Sequence, residues 1–546
     1  MAAGPRAVAA VSAAGHPRRQ RAAGARAADP RPVLPRRRGR TWREQTREAG
    51  VAIAFPDRRA AAGPLTSPPH TSKSTDREVR DVPSSPAAEP LSSLRTQAAR
   101  LLATTTKTPP QMQSISSRNL LRRLPWVDVT SGTYRVNRRL QIKVGRGRVS
   151  FLQHGADVVI IPGTLTELSA LRGYSDTEVL ERLAGLFTAR QVTPGQVLAR
   201  EGDPVREVFV VAHGRIERLV TGKYGTVDHL GVITDGDQVG DEAVGVEDPS
   251  WSATLRCSTA GTVMVLDWDA LRGLLDEAPG LRAHLEDFAR RRALPQNRRG
   301  EAEIALSAGH EGEAVVPGTF VDYELEPREY ELSLTQTILR VHTRVADLYN
   351  DPMDQVEEQL RLTVEEIRET QEHELVHNRE FGLLHNTSYD QRICTRSGPP
   401  TPDDMDDLLS MRRSTDAFFA HPKAITAFLR ECNRRGLVVD AGRTDDGSRA
   451  LTWRGVPVYP LGKIGISDHN TTSIIAMRRG EDKQGVVGLR PAALPDEVQP
   501  GLNVRFMGII EQAILRYLVT AYYSVAPLVP DAVGLLEHVE IGREAS

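Results

Sequence analysis

Apolar and polar positions change period several times along this 546-residue chain, and the changes mark its parts. From Leu91 to Leu124 apolar residues fall at mixed helical spacing and end in Leu124-Pro125-Trp126. Tyr134, Val136, Leu140, Ile142 and Val144 mostly alternate with polar residues, which predicts an exposed or half-buried strand. Gly145–Gly147 predict a turn, and Val149–Ile161 a second stretch of strand character. Residues 176–293 have a shorter rhythm. A helix over Thr177–Leu186 precedes short strands punctuated by Pro194-Gly195, Gly202-Asp203, His213-Gly214 and Asp235-Gly236, which predicts an all-β sandwich or barrel. Helical spacing then returns between Asp267 and Arg292.

Residues 294–316 are polar and without period, as in a linker. Strand character resumes at Thr319–Leu332. A long helix is predicted to start with Asp351 as cap and Pro352 in its first turn, burying Val356, Leu360, Val364 and Ile367. Another helix begins at Pro422 and stops before Gly436. The last hundred or so residues predict strands at Val456–Tyr459, Ser473–Met477 and Gly485–Leu489, with Pro457 confining the first to an edge or a strand start. The strongly apolar run near Met507–Ala521 predicts a helix. The wider run Ile509–Val529 is apolar on more than one helical face, as in a subunit that touches neighbours.

Charge changes the picture at one end. The chain as a whole carries a formal net charge of -1, but residues 1–80 hold 17 basic and 6 acidic side chains, which leaves about -12 on the rest. The first 90 residues are rich in Ala, Pro and Arg and are expected to be disordered. They read as translated upstream sequence in preference to a basic arm for nucleic acid. Three cysteines, Cys257, Cys394 and Cys432, make no disulfide framework, and no apolar run approaches a membrane span. A soluble cytoplasmic protein of several domains is expected.

Two compact motifs invite enzymatic readings. His373-Glu374-Leu375-Val376-His377 places two histidines on one helical face, where His373 and His377 could hold zinc with Glu374 as base. No third ligand stands at metzincin spacing, and a charged helix face explains the motif as well. Asp403-Asp404-Met405-Asp406-Asp407 has the acidic spacing that binds magnesium diphosphate in terpenoid synthases. Asn350-Asp351-Pro352-Met353-Asp354 only partly matches the partner motif, and a chain with 5% aromatic residues suits such a pocket poorly.

Pro194-Gly195-Gln196-Val197, Gly202-Asp203, Phe209-Val210-Val211 and Gly214-Arg215-Ile216 together resemble a cyclic-nucleotide-binding domain over residues 165–293. The resemblance implies an eight-stranded jelly roll and a phosphate cassette. The matching positions here are Gly240, Asp241, Glu242 and Ala243, then Trp251, Ser252, Ala253 and Thr254 after Pro249-Ser250. The ligand implied is cyclic AMP or another cyclic nucleotide. Two departures matter: Asp241 stands where the family's ribose-binding Glu is expected, and Ser250 or Trp251 where its arginine is. Arg256 is close but out of place. Loss of that charge-assisted contact costs ~1.5–3 kcal/mol, at least tenfold in affinity.

Outside this module the chain resembles encapsulin shell proteins. The matching segments are Ala103–Lys107, Pro110-Gln111-Met112, Gly132–Asn137, Arg379–Asn386, Ala420–Ala424, Cys432–Gly436 and Tyr459–Lys463. The subtype with an inserted cyclic-nucleotide-binding domain is family 2B. The resemblance implies an α+β, tailed-phage major-capsid-like shell fold with an extended loop, a peripheral domain on a spine helix and an axial domain, interrupted by the β jelly-roll. The expected parts are an N-terminal segment over 1–90, arm and first side of the extended loop over 91–164, the module over 165–293, a linker over 294–316, and the remaining shell domain over 317–546. The implied function is structural and non-enzymatic: self-assembly into an icosahedral nanocompartment around a cargo enzyme of terpenoid biosynthesis, a terpene cyclase or polyprenyl transferase. No cofactor is required, and neither membrane nor nucleic acid is an expected partner. The rival readings are a cyclic-nucleotide-responsive transcriptional regulator and a zinc hydrolase acting through His373 and His377.

Overall fold

Val208, Phe209, Val210 and Val211 are all buried, a continuous apolar run that a one-faced sheet could not hide. The computed structural model explains the run by covering both faces. Phe209 and Val211 point into a sandwich core with Ile216, Leu255 and Val263. Val208 and Val210 face the other way, against Leu180, Leu183, Leu271 and Leu281 of the flanking helices. The sandwich has two four-stranded sheets, one centred on Glu207–His213 and Gly261–Asp267, the other on Thr254–Cys257 and Ile216–Thr221. Its helices are Thr177–Gly185, Trp268–Glu277 and Pro279–Arg292, the last two separated where Pro279 opens a new first turn.

The structure describes residues 108–542 except 143–146, 155–156, 245, 247, 307–320, 350–352, 444–446 and 448. The side chains of His154, Asp157 and Glu242 also lie outside the described set. The expectations for the basic N-terminal segment, for Asp351 and Pro352 and for much of the linker therefore fall outside the described residues.

The module is an insertion in a second body. Thr133–Val136 pairs antiparallel with Arg328–Glu331, and bonds from Leu140 to Asp322 and from Glu324 to Arg138 continue the ladder. These are the two sides of an extended loop that flank the inserted domain. The module takes more of the chain than expected: the hairpin Phe151–His154/Asp157–Ile160 and the turn Pro162–Glu167 bring Val149, Ile160 and Leu165 into its helical-side core. That stretch had been expected to belong to the extended loop.

The spine helix runs over Gln355–His377, with the Asp354 carboxylate accepting from the Glu357 N–H at its start. Its Ile367, Leu375 and Val376 pack on a sheet through Leu489, Val519, Ala521 and Tyr523. The helix expected near Met507–Ala521 is instead two strands, Leu502–Ile510 and Ile514–Pro527, paired over most of their length. The reason is composition: Val504, Ile509, Ile510, Ile514, Val519 and Val525 are β-branched, and Tyr517, Tyr522 and Tyr523 favour the pleat. Both faces of Ile514–Pro527 are largely covered, so strand alternation does not show in the sequence. A seven-stranded mixed sheet completes the body, with the helix Pro422–Arg434 packed on it. Pro457 lies inside that sheet, second in its strand, where a strand start tolerates it. Among the described residues no helix is long and apolar enough to cross a membrane.

Candidate functional site

The nucleotide cassette begins at Gly240, whose φ of 102° turns the chain into a short 3-10 segment, Asp241–Ala243. A cavity of about 220 Å³ follows, lined by Val205, Gly240, Ala243, Val246, Asp248, Pro249, Ser250 and Trp251. Of the residues expected there, Gly240, Ala243 and Trp251 line it. Asp241 does not: its carboxylate turns inward and accepts from Ser169 Oγ at 2.9 Å and Gln238 Nε2 at 3.2 Å. Ser252 is exposed, Ala253 is packed in the interior, and Thr254 Oγ1 accepts from the Glu201 N–H. The Glu242 side chain lies outside the described set.

Trp251 is 6% exposed and its ring stacks on Phe209 at 5.7 Å. A Cβ placed on Gly240 would stand 3.1 Å from the Trp251 ring, so the indole closes against the backbone from which the cassette starts. The described lining holds no lysine or arginine, and its charged member is Asp248. Arg256 is committed elsewhere, to Glu217 at 2.6 Å across neighbouring strands. The positions at which the resemblance led to an arginine hold Ser250 and Trp251, both of which line the cavity. Val205, Val246 and Asp248 were not identified from sequence; Asp248 carries a signal only in the structure, its φ of 49°.

The HELVH segment ends the spine helix. The His373 and His377 rings stack at 4.6 Å, but His377 Nε2 bonds the Lys463 carbonyl at 2.6 Å and Glu374 accepts from Asn378 at 3.0 Å. The acidic segment lies on the helix Pro402–Ser410, and each of its carboxylates is held. Asp404 completes a capping box with Thr401, Asp403 pairs with Arg435, Asp406 with Arg454 and the Trp453 indole, and Asp407 with Arg396. Among the described residues the group with metal-binding atoms in reach of one another is Cys394, Glu537 and His538. There Glu537 already accepts from Arg148 and Arg392, at 2.6 and 2.9 Å, and burial pushes the Cys394 thiol up to about 11.

That cluster joins the module to the shell body. Arg148 bridges Asp237 of the module and Glu537 of the seven-stranded sheet, Tyr389 donates its hydroxyl proton to Asp237, and Thr234 Oγ1 lies 3.5 Å from Cys394 Sγ. Burial alone would raise the Glu537 pKa, but Arg148 and Arg392 outweigh it and hold the carboxyl below its usual range.

The geometry defines an α+β body that carries an inserted jelly-roll module with a small cavity. Comparison with known proteins agrees on both parts. The profile "Type 2A encapsulin shell protein SrpI-like" matches residues 289–543, and the cyclic nucleotide-binding domain profile matches 189–278. The Type 2A encapsulin shell protein SrpI of Synechococcus elongatus is 48% identical over 241 residues, 44% of this chain and 78% of that protein. A Type 2A encapsulin shell protein of Mycobacterium leprae is 47% identical over 241 residues, with the same coverage of each chain. The cryo-EM structure of the holo-SrpI encapsulin complex from Synechococcus elongatus aligns over 83% of this chain and 99% of that one, at 29% identity and a TM-score of 0.47. The chain belongs to the encapsulin shell protein family, in its SrpI-like branch, and carries a cyclic nucleotide-binding domain.

Proposed function

We propose that this chain is the repeating subunit of a closed icosahedral nanocompartment in the cytoplasm, and that it encloses a cargo enzyme and catalyses no reaction itself. The observation that carries the reading is apolar surface that one chain leaves uncovered. Leu325 is 93% exposed and Tyr323 64% on the extended loop, Leu334, Phe506 and Ile509 are 46%, 52% and 54% exposed on the spine-side sheet, and Val438 is 89% exposed beyond the Pro422–Arg434 helix. These residues belong to separate elements and loops of the subunit. Repeated contacts of that kind generate closed shells when the rotations close. The resemblance described above adds the cargo class, an enzyme of terpenoid biosynthesis such as a terpene cyclase or polyprenyl transferase.

We further infer that the external module does not act as a tight cyclic nucleotide receptor. Trp251 lines its cavity, no lysine or arginine does among the described residues, and the charged lining residue is Asp248.

Light scattering on protein eluting from a size-exclusion column tests the first proposal. The expected result is a uniform particle above about one megadalton, in keeping with repeated quasi-identical contacts. Monomers or dimers at every concentration would overturn it. Calorimetric titration of the same particles with cyclic AMP tests the second, with no saturable heat in the micromolar range as the expected outcome. One-to-one micromolar binding would sink the inference.

A further inference from the structure

The cation absent from the module's cavity is abundant in another one. Between the short helix Asn119–Arg123, the spine helix and the neighbouring sheet lies a cavity of about 360 Å³ into which Arg118, Arg122, Arg368 and Arg490 converge. Two of these charges are already answered. Arg118 pairs with Glu365 at 2.6 Å, and Arg490 with Asp128 at 2.6 Å. The other two are not. Arg368 gives its N–H groups to neutral oxygens only, Gln371 at 2.7 Å, the Pro500 carbonyl at 3.3 Å and Gln499 at 3.4 Å. Arg122 is exposed and pairs with no carboxylate among the described residues.

Arg368 feels this imbalance. Burial, then the like charges of Arg118 and Arg490, draw its pKa down to about 10, against the opposing pull of Glu365. It stays protonated at neutral pH, in surroundings that penalise the charge. A guanidinium so placed is relieved by an anion, and charge-assisted bonds from arginine to phosphate are among the strongest available. Glu365, already paired with Arg118, and the amides of Gln371 and Gln499 also line the wall; its apolar and aromatic part includes Leu121, Val364, Tyr522 and the Trp126 ring, whose N–H is spent on the Leu121 carbonyl at 3.2 Å.

We propose that this cavity is a binding site for a phosphate monoester, its dianionic head between Arg368 and Arg122 and its organic body against Trp126 and Tyr522. Two unanswered guanidinium charges match a dianion better than a carboxylate. The volume falls within the range of small-molecule sites and leaves room beyond a phosphate group. The site lies on the shell body and does not depend on the nanocompartment reading.

Phenyl phosphate and inorganic phosphate, titrated calorimetrically into the purified full-length protein at low ionic strength, test the proposal. The expected result is saturable binding of phenyl phosphate at one site per chain, tighter than that of inorganic phosphate. Arg368→Gln should weaken it at least about tenfold, the effect of removing one charge-assisted contact. Arg368 is partly buried, so Arg122→Glu at the exposed rim serves as the second variant; it reverses a charge without removing packed atoms, and should weaken binding by a similar factor. No saturable uptake of phenyl phosphate by the wild-type protein overturns the proposal, as it would if an acidic side chain of a neighbouring copy already filled the cavity. Equal affinities in the wild-type and Arg122→Glu proteins overturn it as well.

Discussion

Asp531 takes hydrogen bonds from Arg478 at 2.6 Å, Arg413 at 2.9 Å and Arg299 at 3.2 Å, and so ties the 3-10 segment Pro530–Ala532 to three separate segments. Burial would raise its pKa, but the bonds from Arg478 and Arg413 prevail and bring it to about 2 from an ordinary 3.8. As pH falls, the unfolded chain therefore binds the proton first. The stabilisation from Asp531 is whole above about pH 4 and drains away as pH falls towards 2, a total of ~2–3 kcal/mol. Asp531→Asn should cost ~3–5 kcal/mol at pH 7, because it strands Arg478 without its counter-charge. The variant's urea midpoint, followed from pH 5 to pH 2, should also fall less steeply than that of the wild type. Parallel curves would show that the acid sensitivity lies elsewhere. None of this was visible in sequence, where Asp531 is one acid between Pro530 and Ala532 and its three arginines lie 53, 118 and 232 positions before it.

Elements that announce themselves by local chemistry were legible, and those decided by their surroundings were not. The helix Pro422–Arg434 has proline in its first turn and Gly436, at φ 69°, just past its end. Both are local signals, and the prediction and the structure agree to within a residue or two. The jelly roll was legible through its turns, because Gly195, Gly202, Gly214 and Gly236 all adopt the positive φ that tight turns between strands require. The failure near Met507–Ala521 has the opposite cause. A strand covered on both faces loses its alternation, and a continuous apolar run does not tell helix from strand. The spine helix Gln355–His377 is capped by Asp354, whose neighbours in sequence gave no distinct signal for it. At the cassette, the sequence pointed to the absent arginine, but the inward turn of Asp241 depended on Ser169, more than seventy positions upstream. The enzymatic motifs were misleading for a related reason. HELVH and DDMDD describe spacing along a helix, whereas Lys463, Arg435, Arg454 and Arg396 decide what those side chains hold.

At the scale of the molecule, the insertion has a geometry that makes it separable. The chain leaves the shell body near Ile142 and returns near Gln296, and the two points belong to one small ladder. Gln141 bridges Glu301, Gln296 bridges Ala302, and the Ile142 N–H donates to the Gly300 carbonyl at 2.7 Å. A domain whose entry and exit lie on neighbouring strands can be removed without stretching its host. The module and the shell body also have separate apolar cores, so neither depends on the other for burial. What joins them is polar: Arg148 to Asp237 and Glu537, with Tyr389 on Asp237. Replacing residues 147–293 by a short Gly/Ser linker should therefore leave a subunit that still assembles, with a particle mass reduced by the excised share. The cut removes Arg148 and leaves Glu537 with Arg392 as its remaining arginine. Losing one arm of a largely buried ion network costs up to ~3–5 kcal/mol, so the shortened particle should disassemble at lower urea. Glu537→Gln in the shortened chain removes the carboxylate that Arg148 no longer serves, and should recover part of that loss. Negative-stain microscopy and urea titration of the three particles read both effects. Closed particles from the shortened chain would mean that the shell body holds all the contacts closure needs. Soluble single subunits in their place would mean that the jelly roll itself is one of those contacts, and the separability argument would fail.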